Sequence, residues 1–68
     1  MFQKDMFRGK VIEAGHTMSE LADYLGINAA TLYRKIDGQS EFKRIEIQLI
    51  RQFLGLSSDD VDRIFFAS

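Results

Sequence analysis

Glycines and helix-capping residues punctuate this chain at short intervals, and it contains no proline. Gly15, Gly26 and Gly55 each stand two residues ahead of a residue suited to opening a helix: Thr17, Asn28 and Ser57. Glycine closes a helix because it takes the left-handed conformation without steric penalty. The Ser, Thr or Asn that follows accepts an unpaired backbone N–H of the next helix. Glu20 lies three residues after Thr17 and Asp60 three after Ser57, so both pairs fit the reciprocal capping box.

Apolar residues recur with helical spacing between these marks. A first helix is expected from Gln3 to Ala14, with Phe7, Val11 and Ala14 on one face. A second covers Met18 to Leu25, with Leu21, Ala22 and Leu25 inward, and a third Ala29 to Ile36, burying Leu32 and Ile36. Asp37-Gly38-Gln39-Ser40 reads as a loop. A fourth helix follows over Arg44 to Leu54, with Ile47, Ile50 and Leu54 inward, and a last one carries Val61, Ile64 and Phe65 inward. No segment alternates with period two. The expected fold is all-α, five helices in a single domain over residues 1–68.

Residues 18–38 carry the most functional content. Two short helices meet through Gly26-Ile27-Asn28, and Ala22 supplies a small side chain where their backbones cross. Apolar residues at 21, 25, 27, 32 and 36 hold the pair to the core. That leaves the outer face of the second helix, with Thr31 and Arg34, free to enter a DNA major groove.

Residues 17–56, TMSELADYLGINAATLYRKIDGQSEFKRIEIQLIRQFLGL, resemble the helix-turn-helix of the lambda-repressor and Cro class of phage and bacterial regulators. The stretches MFRGKVIE, TLYRKIDGQSEF and LGLS are similar to short prophage repressors of Gram-positive bacteria. The resemblance implies a five-helix repressor fold, dimeric operator binding and transcriptional control. It places base-reading positions on Asn28, Ala29, Ala30 and Thr31, with a later one on Arg34. Phosphate-contacting positions fall on Thr17 and Met18, on Gln39 and Ser40, and on Lys43 and Arg44. Tyr33 and Lys35 complete the DNA-facing set, and both are equally readable as partly buried side chains.

Several positions depart from that pattern. Met18 stands where the family commonly has a glutamine that anchors a phosphate. Ala29 and Ala30 offer only apolar contact, for instance to a thymine methyl. The third helix is one residue shorter than in the best-known repressors. Lys43 is a poorer N-cap than Ser or Thr, and a cation there opposes the helix dipole, which hints at a functional reason for it.

The net charge is −1, where nucleic-acid binders usually carry a basic excess. The charges are unevenly spread, however. Arg34, Lys35, Lys43 and Arg44 stand against Asp37 and Glu41, whereas Asp59, Asp60 and Asp62 stand against Arg63 alone. This predicts one polarised surface. The absence of cysteine excludes disulfides and thiolate metal sites. His16 is read as partly buried, and the aspartates as first-turn acids favoured by the helix dipole. No Ser/His/Asp set and no glycine-rich phosphate loop is present, so neither an enzyme nor a cofactor or metal site is expected. No apolar run approaches the roughly 20 residues of a membrane span, and Met1-Phe2-Gln3-Lys4-Asp5 lacks a signal-peptide pattern, which makes the cytoplasm the expected compartment.

The fourth helix carries a second apolar stripe, Ile45, Leu49 and Phe53. With Phe66 it predicts a homodimer through the fourth and fifth helices, its interface marked by Leu49 and Phe66. The alternative reading is a protein-interaction module of antirepressor type that keeps the fold without binding DNA. The acidic balance and Ala29-Ala30 favour that alternative; the clustered cations favour DNA.

Overall fold

The computed structural model describes residues 1–67. They form five helices and no strand: α1 Lys4–Glu13, α2 Met18–Leu25, α3 Ala29–Ile36, α4 Arg44–Leu54 and α5 Ser58–Val61. The last runs without a break into a π-wound turn, Asp62–Phe66. Among the described residues, no helix is long and apolar enough to cross a membrane.

Both expected capping boxes are formed. The Thr17 hydroxyl accepts the Glu20 N–H at 3.1 Å, and the Thr17 N–H donates to Glu20 Oε1 at 2.8 Å. Ser57 and Asp60 make the same exchange at 3.0 and 3.1 Å. These bonds are local in sequence, so the chain can commit to its helix starts before any tertiary packing exists. The first helix is shorter than its apolar spacing suggests. Gln3 and Ala14 are its caps, and Ala14 is exposed rather than turned inward.

The core centres on Phe7, Leu21, Leu32, Ile50 and Ile64, all at 0% exposure, with Val11, Ala22, Ile36 and Val61 around them. Leu25, Ile47 and Leu54, expected within it, are half-buried and pack against its edge. Three contributors come from outside the periodic segments. Leu56, in the turn after α4, is buried; Phe2, ahead of α1, and Phe42, in the loop before α4, are half-buried against the core. Phe2 and Phe42 join Phe7 and Phe65 in an aromatic layer, with ring centroids as close as 5.1 Å for Phe2–Phe42 and 5.4 Å for Phe42–Phe65. Such tilted and edge-on pairs are favourable beyond the area they bury. The chain start is fixed to this layer by the Gln3 N–H, which donates to the Ile64 carbonyl at 2.7 Å.

Along α4 the second stripe divides. Phe53 is covered, stacking on His16 at 4.1 Å and on Tyr24 at 4.6 Å. Its cover thus includes side chains from the α1–α2 turn and from α2. Leu49 is half-buried, while Ile45 and Phe66 remain 58% and 62% exposed.

Candidate nucleic-acid interface

The turn between α2 and α3 is set by two residues. Gly26 lies at φ 73°, where a side chain would be strained, and the Ile27 N–H reaches back to the Ala22 carbonyl at 3.0 Å. Asn28 then opens α3, its side-chain oxygen accepting the Thr31 N–H at 2.7 Å. Leu32, Lys35 and Ile36 face inward, and α2 packs against both α3 and α4. What α3 leaves outward is Ala30, Tyr33 and Arg34, a strip with helical spacing and the shape of a recognition surface.

The sequence-predicted positions fall into three groups. Asn28, Ala30, Tyr33 and Arg34 are exposed along α3, with Ala29 and Thr31 half-buried at its edge. Gln39 and Ser40 are exposed in the α3–α4 loop, and Lys43 and Arg44 are exposed at the start of α4. Thr17 is exposed at the start of α2, with Met18 half-buried beside it.

Lys35 does not belong with them. It is only 6% exposed, and its ammonium lies 3.2 Å from Glu46 Oε1 while donating to the Glu41 carbonyl at 3.0 Å. A cation so engaged in the interior is not available to a phosphate. Its expected place on the DNA-facing surface is therefore corrected to a structural one between α3 and α4. Lys43 opens α4 without a side-chain cap of its own. Its backbone N–H donates to that same Glu46 oxygen at 2.7 Å, and the residue is exposed.

The charges are sorted by pairing more than by position. Lys4 closes on Asp37 at 3.2 Å, Lys10 on Asp60 at 3.7 Å, Lys35 on Glu46 and Arg63 on Asp59 at 3.1 Å. Arg51 donates to the Leu56 carbonyl and the Ser58 hydroxyl. Among the described residues, the basic side chains left without any such partner are Arg8, Arg34, Lys43 and Arg44, all exposed. Three of those four are predicted contact positions. Among the described residues, Asp5, Asp23, Glu41 and Asp62 are likewise without a cationic partner, so the pairing redistributes the net charge of −1 without reversing it. Asp37, the acid at the end of α3, is offset by its bridge from Lys4.

Arg8 was not among the expected positions. It lines an open groove of about 490 Å³ together with Thr17, Met18 and Tyr33, so α1 contributes to the same surface. Its signal in the sequence is slight: a cation directly after the inward Phe7 on an otherwise ordinary solvated helix face.

Residues 12–37 match the family model described as bacterial regulatory protein, Fis family. The matched span runs from the last turn of α1 through the C-cap of α3, which is the helix-turn-helix itself. The match supports a bacterial helix-turn-helix DNA-binding regulator. It does not single out the lambda-repressor and Cro class. No curated protein and no solved structure matches the chain.

Proposed function

We propose that the protein is a sequence-specific regulator of transcription of the phage repressor and Cro kind. It lays α3 in the major groove of double-stranded operator DNA and binds as a homodimer. It acts in the cytoplasm, as a single domain, without catalysis or cofactor. The observation that carries this reading is an exposed strip on α3 that holds an unpaired cation, with two more unpaired and exposed at the start of α4. Arg34 lies on the strip, and Lys43 and Arg44 open the next helix. Arg34 is the base reader, Ala30 and the half-buried Ala29 supply apolar contact, and Lys43 and Arg44 bind phosphates together with Thr17, Gln39 and Ser40.

Two-fold association supplies the affinity that one weakly charged copy lacks, by setting two α3 helices about one DNA turn apart. Phe66 and Ile45 are the exposed apolar side chains that support it, beside a groove of about 350 Å³ lined by Phe42, Ile47 and Phe65. Leu49, half-buried on α4, is the inner edge of that interface.

Selection of bound fragments from random DNA, followed by titration at low and moderate salt, tests the reading. The expected outcome is a two-part site with half-sites about 10 base pairs apart and affinity that falls steeply with salt. Equal, weak binding to every duplex would remove sequence specificity. No binding at low salt would favour the protein-interaction module, which the net charge and the alanines of α3 also suit.

A further inference from the structure

We infer that Arg8 of α1 is an additional DNA-backbone contact, holding a phosphate in the groove between α1 and α3, outside the helix-turn-helix. The inference rests on the DNA-binding reading above. Of the three cations on α1, Lys4 is closed on Asp37 and Lys10 on Glu13 and Asp60. Arg8 alone of these is exposed with no acidic partner among the described residues.

Arg8 is also the one of the three that lines the groove beside α3. Tyr33 forms part of that groove's lining from the middle of the outward strip, 43% exposed. Its hydroxyl and the Arg8 guanidinium are the donor types that take up phosphate oxygens. Ile12, 75% exposed at the same groove, supplies an apolar wall suited to a deoxyribose.

Asp5, three residues before Arg8, makes no bridge to it among the described residues, and Glu20, which touches this lining through Thr17 and His16, is already engaged. Its carboxylate accepts the Thr17 N–H and lies 3.8 Å from His16 Nδ1. An acidic peptide could also satisfy one arginine. The groove that Arg8 shares with Tyr33, the residue before Arg34 on α3, instead fits a duplex backbone flanking the groove that α3 enters.

The test compares wild type, Arg8→Gln, Arg8→Lys and Arg34→Ala on one selected duplex and one random duplex, over a series of salt concentrations. Arg8→Gln is expected to weaken both duplexes by roughly three- to tenfold near 0.1 M salt. It should also lower the slope of log affinity against log salt by about 0.9 per bound chain. Arg8→Lys should restore the slope, and only Arg34→Ala should alter sequence preference. Wild-type affinity and slope in Arg8→Gln, with Arg34→Ala impaired, would overturn the contact and leave the regulator reading standing. A wild type that binds neither duplex at low salt would overturn both.

Discussion

The Lys35 ammonium and the Glu46 carboxylate meet at 3.2 Å in the protein interior, each residue only 6% exposed. The same carboxylate oxygen takes the Lys43 N–H, and Lys35 also reaches the Glu41 carbonyl. Helix α3, the loop after it and the start of α4 are thus tied at one polar junction. An intact buried pair of this kind contributes little net stability against an apolar pair, but a lone buried charge is strongly unfavourable. Its value here is geometric, because it fixes Lys43 and Arg44 relative to α3.

Glu46→Ala should destabilise the fold by about 3–5 kcal/mol, since it strands the Lys35 charge. The double variant Lys35→Met/Glu46→Leu should recover most of that loss. Urea unfolding of the three chains measures it, and a single variant as stable as wild type would remove the junction from the account.

Leu32→Ala should be damaging on packing grounds alone. Leu32 is at 0% exposure between α2 and the rest of the core. The loss of about 2–5 kcal/mol is comparable with the total stability of so small a domain. An unchanged melting curve would refute the register assigned to α3.

Arg34→Ala should reduce operator affinity by about 1–3 kcal/mol and relax preference at one base pair per half-site. Lys43→Ala and Arg44→Ala should weaken all sequences alike and lower the salt slope by about 1 each. Competition titrations with single-base operator variants separate the two behaviours. An Arg34→Ala chain with intact preference would require another reading residue.

Acid should weaken the fold through two caps. Glu20 is held below its ordinary value of 4.5, chiefly by the Thr17 backbone N–H, and Asp60 below 3.8 by that of Ser57, with Lys10 adding to it. A carboxyl group with a depressed folded pKa binds fewer protons folded than unfolded. The stability it contributes is therefore complete above the unfolded value and disappears as pH falls through the folded one. Urea midpoints should stay level down to about pH 5 and decline below it. Glu20→Gln and Asp60→Asn should each flatten the decline; an identical acid limb in both would exclude the caps as its source.

Phe66→Glu should abolish self-association while leaving the melting temperature nearly unchanged, because the side chain is already 62% exposed. Sedimentation equilibrium of both chains decides it. A wild type that remains monomeric at high micromolar concentration without DNA would refute a stable dimer.

The helices of the motif were legible because their signals are local. The starts of α2 and α3 and the ends of α2, α3 and α4 follow from caps and glycines within a few residues of each boundary, whereas α4 starts at Lys43 without a side-chain cap of its own. Phe2, Phe42 and Leu56 were not legible as core, since each lies outside a periodic segment and is brought inward only by the tertiary path. The Lys35–Glu46 pair had a signal that charge alone obscured: Lys35 lies three residues after Leu32 and beside Ile36, on the inward arc of α3. Arg8 had almost none, because its neighbours across the groove come from α2 and α3.

The hydrogen bond that opens α3 also narrows what the helix can distinguish. A backbone N–H has to be accepted by oxygen, so the Thr31 contact engages one lone pair of Asn28 Oδ1 and sets which way the amide is turned. The two-point contact of asparagine with adenine needs one donor and one acceptor from the same amide. While it caps the helix, Asn28 is left chiefly with its amide donors, and adenine N7, guanine N7 and O6 and thymine O4 can all take one. In a major groove, that donor alone would discriminate less sharply than the two-point contact.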